Sequence, residues 1–486
     1  MLFNSFVFVF AFVPAVLVLF MAARRLLPVA GMLVCLLLAS LLFYGYWNPV
    51  YLALLVPSML VNYGFGVRLA QPGAGRQWLW VGVAANLLVL GYFKYKNFFL
   101  ASLSTLTGTE GSLPPLVLPL AISFFTFQQI AFLVDVYQRR VAVPGLLPYM
   151  AFVSFFPQLI AGPIVHFQQL GAQFSSPQWR RFDQALFGLG LVLFALGLFK
   201  KVVLADQLAL FANPVFDAAA QGQRPAALAA WLAMFSYSFQ LYFDFSGYAD
   251  MAIGLAALFG IRLPVNFNSP YKAHSIVDFW QRWHMTLSAF LRDYLYIALG
   301  GNRCGRWRRY RNLLLTMLLG GLWHGAGWTF VLWGLFHGVL LVLCHGLRGL
   351  WGWCPRPLAV GFTFLLVSLG WVLFRAESLA AAGVLYEALF GFGGMRAGVW
   401  AALSGAQLAD IVYGRGVAVY LWLLLSLVVV WGLPGSWQWL GYRPDAGAAE
   451  RRGVSFWQGL LAGVLLFCAL NRMVAQPVSE FLYFNF

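Results

Sequence analysis

The chain has 486 residues, 62% of them hydrophobic and only 9% charged, with a formal net charge of +16. A soluble globular domain is nearer half apolar and a quarter charged, so this composition excludes water as the main solvent of the surface. The basic excess would suggest nucleic acid in a soluble protein. Here it reads as Lys and Arg anchoring helix ends on the cytoplasmic side against anionic lipid, and no nucleic-acid partner is expected.

Runs that approach or exceed the roughly 20 apolar residues of a bilayer crossing cover residues 6–21, 31–47, 78–91, 113–136, 313–343, 360–374, 417–432 and 454–470. Shorter or less clean stretches at 51–61, 148–165, 185–199 and 226–242 are candidates to cross, or to lie buried, tilted or re-entrant. About eleven crossings are expected, with a margin of about two. The first run precedes its charges, Arg24 and Arg25, and lacks a basic segment before it. It therefore reads as a retained span and not a cleaved signal peptide. Arg68 with Arg76, and Arg139 with Arg140, fall in loops on the same side as Arg24 and Arg25 if each intervening run crosses. That side is cytoplasmic and the N-terminus external by the positive-inside rule. Lys94, Lys96, Lys200 and Lys201 do not fit this count. The five cysteines (Cys35, Cys304, Cys344, Cys354 and Cys468) show neither a CxxC pair nor ligand spacing and read as packing residues or unreactive thiols; no metal is expected.

In residues 241–251 two carboxylates, Asp244 and Asp250, flank a Ser246-Gly247 interruption in a largely apolar stretch. Six residues apart, they would face different ways on a continuous helix. Arginine partners or a broken-helix cap are expected ahead of a paired acid–base role. Between residues 262 and 311 the apolar pattern lapses. Nine Arg and Lys face only Asp278 and Asp293, which places the segment on the cytoplasmic side. Ser275-Ile-Val-Asp278 has the form of a capping box. The positions that follow, Trp280, Trp283, His284, Leu287 and Leu291, share one face of an amphipathic helix. That helix is expected to lie against the membrane core with Trp at the interface and His284 turned towards the protein.

Residues 313–343 are too long for one crossing and contain Gly320-Gly-Leu-Trp-His-Gly-Ala-Gly327. Glycines so clustered mark a helix break or a close backbone approach. His324 lies eleven residues past Leu313, roughly 17 Å at helical rise, against a hydrocarbon half-thickness of about 15 Å. An ionisable ring near mid-membrane on irregular backbone is a functional-site candidate. His337 and His345, in smooth apolar surroundings, read as structural histidines held by interhelical hydrogen bonds; His166 and His274 sit in loops and receive no role. No Gly-x-Ser-x-Gly elbow, Walker loop or His-Glu-x-x-His motif is present, which disfavours hydrolase, nucleotidase and zinc-peptidase chemistry.

Taken in order, Pro119-Leu-Ala-Ile-Ser-Phe-Phe-Thr-Phe-Gln128, Phe156-Pro-Gln-Leu-Ile-Ala-Gly-Pro-Ile164, Tyr242-Phe-Asp-Phe-Ser-Gly-Tyr-Ala-Asp-Met251, Asp278-Phe-Trp-Gln-Arg-Trp-His-Met-Thr-Leu-Ser288, Leu291-Arg-Asp-Tyr-Leu-Tyr296, Gly300-Gly-Asn-Arg303, Gly320-Gly-Leu-Trp-His-Gly325 and the ending Phe481-Leu-Tyr-Phe-Asn-Phe486 resemble the membrane-bound O-acyltransferase family. The resemblance is to its bacterial branch, which acetylates alginate, cellulose and other exopolysaccharides. It implies an all-α polytopic fold of a single domain, residues 1–486, in which transmembrane and re-entrant helices surround a central catalytic tunnel. It implies His324 as the catalytic histidine and His284 as the second essential position, where relatives outside this branch commonly carry Asn. Trp323, Asp244, Asp250 and Arg292 are expected as supporting residues; the basic 262–311 segment, with Arg303, Arg306, Arg308 and Arg309, suits either the donor phosphates or anchoring to lipid alone.

The expected reaction carries acetyl from a cytoplasmic thioester, acetyl-CoA or another pantetheine-bearing donor, to an exported polysaccharide. No tightly bound cofactor is expected. His324 would act as base and His284 would position the thioester or polarise its carbonyl, while backbone N–H groups of residues 320–327 receive the oxyanion. The resemblance further implies a periplasmic acetyltransferase partner and the bacterial inner membrane as location. Two rivals stay open: a D-alanyl or lipid O-acyltransferase of the same family, and a transporter, whose broken helices would mark a substrate path.

Overall fold

The structure is a computed structural model that describes residues 1–108, 118–303, 305–347, 354–391, 416–445, 453–476 and 478–482. Cys304, part of the 113–136 run and the last four residues of the C-terminal motif lie outside the described residues. The regular elements among them are all helices. Seven are long and apolar enough to cross a membrane: Val7–Leu26, Pro49–Ala70, Arg76–Thr107, Gln184–Ala220, Trp328–Gly346, Arg356–Arg375 and Phe456–Ala475. Four shorter apolar helices accompany them, Val29–Gly45, Ile122–Tyr137, Leu379–Phe390 and Val417–Gly432. Large apolar side chains stand on the outer surface, Leu88 at 73% and Phe456 at 75% exposure. In water that arrangement would be prohibitive; against acyl chains it is the expected face of a multi-pass membrane protein.

Chain contacts group into two compact units, one comprising Met1–Leu198, Tyr248–Val265 and the segment from Leu440, the other Phe199–Gly247 and Asn266–Trp439. In the first, the neighbouring helices Leu52–Ala70 and Arg76–Leu90 are joined by a reciprocal amide pair, Asn62 and Asn86, at 2.6 and 3.2 Å. In the same unit Gly190 and Gly254 let two backbones meet, because a Cβ at either would strike the other's carbonyl oxygen at 2.7 Å. The 148–165 stretch folds here as the short buried helices Leu146–Ser154 and Phe156–Leu159 and is not a span. Its prolines, Pro148, Pro157 and Pro163, stop a longer helix from forming.

Of the basic residues that defied the topology count, Lys94, Lys96 and Lys201 have internal partners. Lys94, buried, donates to Ser123 Oγ at 3.2 Å, and Lys96 lies 5.0 Å from the Tyr92 ring centroid. Arg24 is also buried: it donates to the Phe259 carbonyl at 3.1 Å and stacks on Phe20, leaving Arg25 as the exposed anchor.

In the second unit, Lys201 sits in a π-helical turn, Lys200–Ala205, where one extra residue per turn redirects side chains. Its Nζ is 2.7 Å from Asp244 Oδ1 and 2.9 Å from Asp206 Oδ1. Arginine partners or a helix break were expected around Asp244. Instead the partner is a lysine, and the helix Ala227–Leu258 runs unbroken through Ser246-Gly247.

Removing one member of a buried ion pair strands the other in a low-dielectric interior. Lys201→Met should therefore cost about 3–5 kcal/mol, seen as a lower melting temperature of the detergent-purified protein. Adding Asp244→Asn to that variant should recover part of the loss, which an independent packing role for Lys201 would not allow.

Candidate active site

Two backbone interruptions in the second unit build the site. The first falls within the glycine cluster. Helix Arg306–His324 ends at His324, since Gly325 and Gly327 are both extended, and helix Trp328–Gly346 starts directly after. The two form a tight antiparallel hairpin. A Cβ on Gly321 would collide with the Phe330 carbonyl oxygen, one on Gly334 with that of Met317, and one on Gly325 with the Phe330 ring. Both uses foreseen for the glycines, break and close approach, are thus realised at different positions. His324 is 3% exposed. Its ring centroid lies 5.0 Å from Trp323, 5.1 Å from Trp333 and 5.3 Å from Phe374, so the expected neighbour Trp323 forms one wall.

The second interruption was not foreseen. Ser275 caps the helix as expected, its Oγ accepting from the Asp278 N–H at 3.1 Å, but the helix covers only Ile276–Arg282. Another begins at Met285, and between them His284 adopts a left-handed conformation, φ 42° and ψ 54°. That costs a non-glycine residue about 1–2 kcal/mol. The one-face arrangement of residues 280–291 is consequently lost. Trp283 is 1% exposed, packed on Trp371 at 4.9 Å and Phe267 at 5.1 Å, and does not lie at an interface.

The strained turn is held by residues 266–268. The Met285 N–H donates to the Asn266 carbonyl at 2.9 Å, while the Thr286 N–H and Oγ1 donate to Asn266 Oδ1 at 3.2 and 2.9 Å. On the other side of the break the Asn268 N–H donates to the Arg282 carbonyl at 2.9 Å. His284 Nδ1 lies 3.1 Å from the same Asn266 Oδ1. The His284 ring packs edge-on to Phe245 at 4.7 Å and stands 6.5 Å from the His324 ring, centroid to centroid. It is fully buried outside the spanning helices, and desolvation pushes its pKa down to about 3, so the imidazole is neutral at physiological pH.

The structure therefore brings His284, His324 and Trp323 together. Asp244 is engaged by Lys201; Asp250 belongs to the other unit. Arg292, largely exposed, pairs with its own neighbour Asp293 at 2.7 Å. Arg303, Arg306 and Arg308 are exposed at the start of the Arg306–His324 helix, with Arg309 half-buried among them. None of the four pairs with a carboxylate among the described residues. Eighteen residues of helix separate Arg306 from His324, about 27 Å.

His337 departs from expectation. It is fully buried between Trp333 at 4.9 Å and Trp280 at 5.3 Å, and neither ring nitrogen has a hydrogen-bond partner among the described residues. His274 pairs with Asp278 at 2.8 Å and His166 lies 3.7 Å from Asp135. Asn266 escaped sequence reasoning because a loop amide eighteen residues before His284 carries no periodic or spacing signal. No group of three or more His, Cys, Asp or Glu among the described residues could hold a metal ion.

Buried imidazoles set on broken helices, inside a multi-pass apolar chain, define an integral membrane protein with an ionisable centre. Residues 136–351 match the model of the membrane-bound O-acyltransferase family. The chain is 45% identical to the peptidoglycan O-acetyltransferase of Helicobacter pylori over 81% of both chains. It is 40% identical to the probable alginate O-acetylase AlgI of Azotobacter vinelandii over the whole of both. Similarity to the teichoic acid D-alanyltransferase of Streptococcus thermophilus is lower, 30% over 49% of this chain and 59% of that protein. This chain belongs to the membrane-bound O-acyltransferase family, and the enzyme it forms is an O-acyltransferase. The transporter reading falls with that membership.

The glycine contacts give a direct check. Gly321→Val forces the hairpin apart and should cost about 1–3 kcal/mol while displacing His324. Gly361→Val, where a Cβ meets nothing within 4 Å, should leave melting temperature and activity near wild type.

Proposed function

We propose that this enzyme is an O-acetyltransferase of the bacterial inner membrane, passing acetyl from a cytoplasmic thioester to the hydroxyl groups of an exported polysaccharide. The observation that carries the reading is the pair of buried imidazoles, His324 and His284, with ring centroids 6.5 Å apart. Acyl transfer to an alcohol needs a base that is neutral before reaction, and imidazole supplies one without large perturbation. His324 takes the hydroxyl proton as the oxygen bonds to the acyl carbon. The C–S bond then breaks, and the thiolate leaves to recover a proton as thiol. His284 positions the reacting groups from the opposite side.

The developing oxyanion finds donors close by. Helix Trp328–Gly346 starts four residues after His324 with no side chain capping its first turn, and its N-terminal N–H groups form an anion-binding end. Trp323 and Trp333 line the centre and exclude water.

Arg303, Arg306, Arg308 and Arg309 suit the phosphates of the donor. With about 27 Å of helix between them and His324, a ligand reaching both must be extended, as a pantetheine thioester such as acetyl-CoA is. Asp244 and Arg292 act through scaffolding. Two O-acetylating relatives, matched at 40–45% identity over most or all of the chain, favour acetyl over D-alanyl transfer. Their acceptors, alginate and peptidoglycan, share the chemistry of a glycan hydroxyl outside the cytoplasm. A periplasmic partner that completes transfer onto the polymer fits that acceptor.

His324→Ala, at confirmed membrane abundance, should lower ester-linked acetate on the exported polymer by on the order of a hundredfold or more; unchanged acetate would refute the mechanism. Replacing Arg303, Arg306 and Arg308 together by Gln should raise the apparent KM for acetyl-CoA roughly tenfold or more with kcat retained. If expression falls while KM stays the same, the cluster serves as a lipid anchor instead.

A further inference from the structure

We propose that Asn266 is a positioning residue that locks His284 in the tautomer protonated at Nδ1, so that the imidazole offers the reacting groups a bare Nε2. The inference rests on the reading of His284 as part of the acyl-transfer centre and assigns its chemical sense, which that reading leaves open.

A backbone N–H only donates, and the Thr286 N–H points at the end of the Asn266 amide 3.2 Å away. That end must be the carbonyl oxygen, because the NH2 end would set donor against donor. The Thr286 hydroxyl, at 2.9 Å, donates to the same oxygen. The amide's other end does not compete in setting its orientation, since Nδ2 has no hydrogen-bond partner among the described residues. A carbonyl oxygen cannot donate, so the His284 ring nitrogen 3.1 Å from it, Nδ1, must carry the proton. In a neutral imidazole the proton is on one nitrogen alone, so Nε2 holds a lone pair.

The geometry is over-determined, as a tautomer lock requires. Asn266 is 1% exposed, and its main-chain carbonyl takes the Met285 N–H at 2.9 Å. The same residue thereby fixes the left-handed turn and the ring it carries. Phe245 closes one flank of the imidazole and Trp323 stands at 6.3 Å.

The chemical consequence is definite. His284 accepts, for example from the thiol once the leaving thiolate has recovered its proton, and does not polarise the thioester carbonyl by donating to it. Carbonyl activation then falls to N–H donors elsewhere, such as the first turn of Trp328–Gly346.

The test reads the tautomer independently of activity. In purified, 15N-histidine-labelled full-length protein, the His284 ring signals are identified by their absence from His284→Gln, against the other five of six histidines. The expected spectrum shows Nδ1 protonated and Nε2 bare. A proton on Nε2 overturns the proposal. In Asn266→Ala the signals should shift towards the Nε2-protonated form, and kcat with acetyl-CoA should fall on the order of a hundredfold with KM nearly unchanged. Wild-type tautomer and kcat in that variant would overturn it. Should Asn266→Ala fail to accumulate, Asn266→Asp, isosteric and able to accept all three hydrogen bonds, should keep the Nδ1–H form; an Nε2–H form there overturns the proposal. A fully active His284→Gln would instead sink the reading of His284 as part of the centre while leaving the tautomer assignment intact.

Discussion

An unmet polar group is costly in an apolar interior, and that cost shapes the surroundings of His284. Interrupting a helix exposes backbone N–H and C=O groups, which in an apolar interior cost several kcal/mol each unless they are met. At the break beside His284 the chain meets that demand locally. At His284 the loop residue Asn266 takes the orphaned N–H groups of Met285 and Thr286 and the ring itself. At His324 the break is carried by two extended glycines, and Gly321 and Gly334 let the flanking helices close without side chains between them. Flexible loops would leave the two rings free to drift; these supports hold them.

The same economy governs charge. Lys201, Lys94 and Arg24 would be anomalies if every basic residue marked a helix end. Each is buried, and each is met by an internal acceptor: two carboxylates, a hydroxyl and a backbone carbonyl. The positive-inside rule describes the residues that remain exposed. Arg303, Arg306 and Arg308 are of that kind, placed by the Arg306–His324 helix at the end remote from the imidazole. A single helix thus carries exposed arginines at one end and His324 at the other.

What could be read beforehand followed the strength of the local signal. The membrane class was legible because no other solvent tolerates this composition. The break at 325–327 was legible because glycines clustered beside a histidine have few other uses. The helix through residues 275–291 was misread for a physical reason: amphipathic spacing reports which residues are buried, and Trp283, His284 and Leu287 are all buried, but it is blind to a left-handed residue that turns the chain between them. The Ser246-Gly247 pair misled in the opposite direction. Ala227–Leu258 runs on as one helix through that weak point.

The amino-acid order by itself determined that the chain lives in a bilayer, that a glycine-broken helix end carries Trp323-His324-Gly325, and, through motifs spread over its length, that it resembles the acyltransferases. These are properties of composition and of residues adjacent in sequence. Tertiary structure alone decided that Lys201 answers Asp244, that His337 is packed among tryptophans with no hydrogen bond to the described residues, and that Asn266 governs His284. Each of those depends on side chains brought together from distant positions, and packing and polar partnership between such positions act only once the chain has folded.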